Sequence, residues 1–156
     1  IAAANDARRW ADEHWDEIQA LPRADRPDLV YHGTSDSVLD SVRDRGVLSG
    51  EALGKPPGPN SSQIWFKKGA PFYDDGETLT LVTSTDRVKQ MGGVDTVGLN
   101  GQPNVVTVAH GKAPNGIPFD EFAVVIPAGN GYVIPVHIPP GWSGPALPTP
   151  PGWTPP

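Results

Sequence analysis

The sequence predicts a mixed α+β domain, with helices early and mostly antiparallel strands late. Three observations carry this. Apolar residues recur at three- and four-residue spacing over residues 5–20 and 35–45. Bounded apolar runs of strand length fill the second half, within 72–82, 104–110, 121–127 and 131–138. The last two runs are joined by Ala128-Gly129-Asn130-Gly131, a stretch of hairpin turn residues.

The elements follow in order. Ala7, Trp10, Ala11, Trp15 and Ile18 form the apolar stripe of a first helix, with Asn5 or Asp6 as its cap. Pro22 and Pro27 stop that helix and leave a linker. Leu29 to His32 reads as a short strand. Residues 35–45 read as a helix with Val38, Leu39 and Val42 on its apolar side. Thr34 or Ser35 caps it, and Gly46 stands where a left-handed C-terminal residue is needed. A loop leads to a short strand, Gln63-Ile64-Trp65-Phe66. Asp75-Gly76 marks a hairpin turn before an alternating strand. Residues 84–91 read as a short helix capped by Ser84 or Thr85, and residues 92–103 as a loop. From Pro139 the chain is proline-rich, with the tetrapeptide Pro-Pro-Gly-Trp at 139–142 and again at 150–153. It reads as an extended, proline-stiffened tail that lies on the domain or leads off it. The chain thus divides into a helix and linker (1–28), a main body (29–138) and the tail (139–156).

Composition narrows the function classes. The 156 residues fit one domain with tails, and 37% are hydrophobic, in runs that can pack. No run approaches the roughly 18 apolar residues of a membrane span. The formal charge of −6 and the lack of a basic stripe argue against a nucleic-acid partner. With no cysteine, disulfides, thiolate catalysis and cysteine–zinc sites drop out. His14, His32, His110 and His137 lack metal-ligand spacing, so no metal is expected. There is no phosphate loop of the G-x-x-x-x-G-K-[ST] kind and no G-x-G-x-x-G. The chain opens at Ile1 without a basic n-region or cleavage site. It reads as a processed or excised segment whose targeting signal lies elsewhere.

What remains is Tyr31-His32-Gly33-Thr34, where an apolar run ends in an imidazole and helix-capping residues begin. A neutral imidazole both donates and accepts, which suits a vicinal diol. Glycine lets a ligand approach the backbone. Downstream stand Trp65 in a strand-like run and Tyr73 in the next loop. Further on, Asp120-Glu121-Phe122-Ala123-Val124-Val125 puts an acid at the head of an apolar run and a hairpin.

This constellation resembles the ADP-ribosyltransferase superfamily. It is most similar to the His-Tyr-Glu branch, which holds the poly-ADP-ribose polymerase catalytic domains and the diphtheria-type toxins. The resemblance covers about 29–138 and implies two small, roughly facing, mostly antiparallel sheets with a cleft between them and a few flanking helices. It implies NAD as substrate, bound without a metal, with nicotinamide released. His32 would bond the ribose hydroxyls of NAD, and Gly33 would offer backbone groups to the nicotinamide amide. Thr34, beside them, is either a contact or a cap. The ring that stacks on nicotinamide aligns with Trp65, where the family has tyrosine; Tyr73 is the second candidate, and a third register puts Leu81 there. The catalytic glutamate aligns with Glu121, with Asp120 as its neighbour. Arginine-specific toxins carry another glutamate two residues earlier, where this chain has Phe119, which argues against arginine as acceptor. His110, in a second His-Gly pair, takes a structural or surface role.

The size and single body resemble a bacterial toxin or effector module, which implies secretion or delivery, a macromolecular acceptor (protein rather than nucleic acid) and an inhibitor or immunity protein as partner. An NAD glycohydrolase on the same fold is the first alternative. A binding-only domain is the second.

Overall fold

The computed structural model describes residues 2–71, 77–98 and 101–155. Among these, seven strands form a single antiparallel sheet in the order β4-β5-β2-β1-β3-β6-β7. The strands are β1 (Arg26–Thr34), β2 (Gln63–Gly69), β3 (Leu79–Ser84), β4 (Val94–Thr96), β5 (Val105–Ala109), β6 (Ala123–Gly129) and β7 (Tyr132–His137). The α+β class stands, but the two facing sheets do not. The hydrogen-bond ladder runs unbroken from one edge to the other, because β1 stays paired to β2 at Val30↔Lys68 and Tyr31↔Lys67.

Helices α1 (Ala2–Glu13) and α2 (Trp15–Gln19) replace the one long helix expected over 5–20. The break falls at His14, whose Nδ1–H donates to the Trp10 carbonyl at 2.8 Å while the ring stacks on Trp10 at 4.1 Å. Ala4, Ala7, Ala11 and Ile18 go to the core, and Trp15 is left half exposed. The helix expected over 35–45 is a 3₁₀ turn (Asp36–Val38) followed by α3 (Leu39–Arg45). Neither Thr34 nor Ser35 makes a side-chain cap there; the Asp36 N–H donates instead to Thr78 Oγ1 at 3.0 Å. Gly46 ends α3 at a positive φ of +80° that favours glycine, though its ψ of −174° is extended and not that of the left-handed helical cap expected there. Ser84 caps α4 (Thr85–Gln90) by accepting from the Arg87 N–H.

The sheet has an apolar layer on each side. Strand alternation sends Val30, Leu81, Val124 and Ile126 to the side covered by α1 and α3. Leu29, Tyr31, Val82, Ala123 and Val125 go to the other side. The alternating pattern expected of β3 is therefore absent: residues 79–83 are all buried, as suits a central strand covered on both faces. Asp75-Gly76 lies outside the described residues. The strands that flank it are not neighbours, since β1 lies between β2 and β3. The hairpin at 128–131 does form, with Asn130 and Gly131 both at positive φ as its two turn residues. Residues 94–96, expected as loop, add the edge strand β4.

The proline-rich tail is part of the body. Trp142 and Leu147 pack on the Leu29–Tyr31–Val82 layer, and the Val133 N–H donates to the Pro148 carbonyl at 2.9 Å. Trp153 meets Trp10 edge-on at 5.4 Å. Among the described residues no helix is long and apolar enough to cross a membrane.

Candidate functional site

The site is made by the place where β1 and β2 part. β1 pairs with β3 along Leu29–Thr34, but its ladder to β2 ends at Tyr31↔Lys67. From Phe66 back to Gln63, β2 keeps only its other edge paired, to β5. A gap in the sheet plane therefore opens beside His32, Gly33 and Thr34. The His32 side chain spans it: Nδ1–H donates to the main-chain carbonyl of Trp65 at 2.8 Å. A side chain thus takes an acceptor that a neighbouring strand would otherwise use. The His32 ring also leans on Phe66, centroid to centroid at 5.6 Å.

This bond fixes the tautomer. With Nδ1 as donor, a neutral imidazole holds Nε2 as an acceptor. Burial pushes the His32 pKa below its ordinary value, outweighing the Trp65 carbonyl and the Glu77 charge, which push it up. The ring is therefore neutral near pH 7, with Nε2 ready to accept.

Two cavities meet at this point. One, of about 220 Å³, is lined by Tyr31, Trp65, Lys67 and Gln102 among others. The second, of about 410 Å³, runs under α3 past Val38, Val47, Leu48 and Leu53. His32, Gly33 and Glu77 line both. Tyr31 is buried with its hydroxyl unpaired among the described residues, and burial pushes its pKa well above the ordinary phenol value. It remains a neutral donor. Lys67 Nζ is fixed at the rim by the Pro103 carbonyl at 2.9 Å, and Trp65 Nε1 by the Asn60 carbonyl at 3.1 Å.

Of the residues singled out from the sequence, the structure brings together His32, Gly33 and Trp65 in the smaller cavity. Thr34 lines only the larger one. Tyr73 lies outside the described residues. Leu81 is fully buried in the core. Glu121 is elsewhere. It sits in a 3₁₀ turn (Phe119–Glu121) before β6, not at the head of the strand. Arg87 grips it with two hydrogen bonds of 2.9 and 2.7 Å. Its surroundings are a different cavity, bounded by Asp86, Asp120 and Trp142, that shares no lining residue with the His32 cleft. The β1–β3–β6 order accounts for this, since the head of β6 lies across β3 from β1. His110 lies away from the cleft lining, and its Nδ1 meets the buried Ser49 hydroxyl at 2.8 Å in the loop after α3.

Among the cleft residues that escape the sequence reading are Glu77 and Gln102. Each lies in a turn-rich stretch whose pairing partners are distant in sequence, so periodicity gives no signal for either. Gly33 was legible, but not its use: a Cβ built there would fall on the Glu77 carboxylate. Among the described residues no group of three or more His, Cys, Asp or Glu is placed to hold a metal.

No family model, curated protein or solved structure matches this chain.

Proposed function

We propose that the cleft binds NAD and that the protein is an NAD-dependent ADP-ribosyltransferase of the toxin or effector type. It would release nicotinamide and pass ADP-ribose to a macromolecular acceptor, a protein rather than a nucleic acid. The single observation that carries this reading is the bond from His32 Nδ1 to the Trp65 carbonyl. It joins two residues expected to serve one ligand, 33 positions apart, and it leaves Nε2 as an acceptor. Glu77, on the same two cavities, is a second acceptor. Nε2 held as an acceptor suits a ligand hydroxyl, and the vicinal diol of a ribose supplies one. Trp65 adds a flat apolar surface for a heteroaromatic ring. Gly33 leaves the backbone of β1 open to close approach.

The test is incubation with NAD labelled in its adenylate half, following nicotinamide, free ADP-ribose and label on macromolecules from a cell extract. Nicotinamide release with label transferred to protein is the expected result. Free ADP-ribose alone would make water the nucleophile and the protein a glycohydrolase. No nicotinamide release at millimolar NAD would overturn the reading.

A further inference from the structure

We propose that the pocket at the C-terminal end of β2 is an anion site that holds a phosphate group, and that its ligand is separate from the one in the His32 cleft. The pocket measures about 420 Å³ and is bounded by Arg23, Asp25, Pro27, Lys67, Lys68 and Asn104 among others. Among the described residues, three cations line it against a single carboxylate, in a chain whose formal charge is −6. The cations come from the linker before β1 and from β2, so only the fold brings them together.

The pocket has a local cause. Pro27 has no N–H to give to a strand ladder. The β1–β2 register jumps at this point: Arg26 faces Gly69, and the next pair is Val30 with Lys68. Pro27, Asp28 and Leu29 therefore bow away with no partner on β2. The Pro27 carbonyl accepts instead from Thr85 Oγ1 at 2.8 Å. Gly69, at φ +101°, has open space where a Cβ would stand. A bowed strand beside a bare glycine leaves a hollow.

The donors around it are only partly used. Lys67 Nζ donates to a neutral group, the Pro103 carbonyl at 2.9 Å, and its ammonium has two further N–H donors. Arg23 donates from Nε to Asp25 at 3.0 Å, which leaves the donors of its terminal nitrogens. Lys68 shares the Asp95 carboxylate with Lys89, at 3.1 and 2.9 Å. Asn104 is exposed and brings a side-chain amide. Several donors with excess positive charge suit a compact dianion rich in acceptor oxygens, and a phosphate group is one. A nucleic-acid strand would call for a longer row of cations.

Lys67 is the boundary with the cleft. It lines both this pocket and the smaller cavity beside His32. Its bond to the Pro103 carbonyl runs between the two: Gln102, before Pro103, lines the cleft, and Asn104, after it, lines the pocket. A phosphate held here stands next to the cleft without entering it.

The experiment follows backbone amide shifts by NMR as inorganic phosphate or O-phosphoserine is added, with ionic strength held constant by chloride. It compares the parent with R23Q, K67Q and K55Q, the last removing the same charge from an exposed loop. The expected result is a saturable shift of the amides at 67–70 and 104, with a Kd in the low millimolar range or below. R23Q and K67Q should each weaken binding about fivefold, and K55Q less than about twofold. Shifts that do not saturate, or equal weakening by K55Q, would reduce the effect to general charge and overturn the site. Phosphate shifts should persist in the presence of excess NAD; their loss would assign the pocket to the ligand of the cleft and overturn a separate one. Melting temperatures show whether each variant folds, and R23Q, altered in an exposed linker residue, decides the matter if K67Q does not.

Discussion

The Glu77 carboxylate fills the space in front of the Gly33 Cα. Gly33 lies in β1, near the middle of the sheet, a position where glycine weakens a strand by about 0.5–1 kcal/mol relative to alanine. It is not among the glycines at positive φ, so backbone conformation does not require it. What the position uses is the absence of a side chain.

Gly33→Ala should therefore fold as well as the parent or slightly better, while its methyl swings the Glu77 carboxylate aside. The expected result is NAD affinity weakened about tenfold, because the added side chain and the displaced carboxylate intrude on the close approach that glycine leaves open. Titration calorimetry with NAD beside a thermal melt checks this. A weakly binding protein that also melts far below the parent would point to packing instead.

His32→Ala should weaken NAD binding and leave the Trp65 carbonyl without its donor, at a cost of about 1 kcal/mol in stability. The same residue sets a pH dependence. In the unfolded chain the imidazole takes a proton at its ordinary pKa of 6.5, whereas burial holds the folded value lower. The unfolded state thus binds more protons as pH drops below that value. Stability is full above about pH 6.5 and is lost as pH falls through the folded pKa. Melting temperatures from pH 8 to 5 should fall on the acid side for the parent and fall less for His32→Asn.

Arg87 holds the Glu121 carboxyl below its ordinary pKa of 4.5 through paired hydrogen bonds, against the opposing effect of partial burial. The pair's stabilisation is present above that value and is lost as pH falls through the folded pKa. Arg87→Ala should raise the Glu121 pKa towards or above its ordinary value. A carbon-detected titration of the side-chain carboxyl reads this directly. An unmoved pKa would mean that the pair is not maintained in solution.

Removing residues 139–156 should destabilise the protein by on the order of 3 kcal/mol, from the half-buried area of Trp142, Leu147 and Trp153. The layer formed by Leu29, Tyr31 and Val82 would face water. Denaturant unfolding of the shortened chain measures the cost, and dye binding to exposed apolar surface should rise with it. A truncated chain as stable as the parent would show that the tail only rests on the sheet.

Much of the element content was legible because it rests on local chemistry. Gly46 after α3, Ser84 before α4 and the Asn130-Gly131 turn each answer a backbone requirement within a few residues of themselves. The Tyr31-His32-Gly33 stretch is legible because an imidazole and a glycine close an apolar run, whereas Trp65 stands out only through the family resemblance. The expected long first helix is interrupted at His14, whose backbone leaves the helical range at φ −111° while its ring stacks on the Trp10 indole, a local departure that apolar spacing does not reveal. Residues 94–96 became a strand only because β5 had an open edge for them.

The sequence by itself determined the α+β class, most strand positions, and the histidine, glycine and tryptophan that meet at the cleft. Only the tertiary structure decided which strands lie side by side, and with that which acid stands at the cleft. Strand pairing joins residues far apart in the chain, as Tyr31 with Lys67 or Val82 with Ala123, and its energy depends on what covers each face. Two carboxylates in turn-like stretches, Glu77 and Glu121, look alike as sequence. The order β2-β1-β3-β6 places the first against Gly33 and the second against Arg87. Covering both faces also drew in the proline-rich tail, whose composition suggests an appendage but whose indoles close the apolar layers that the strands leave open.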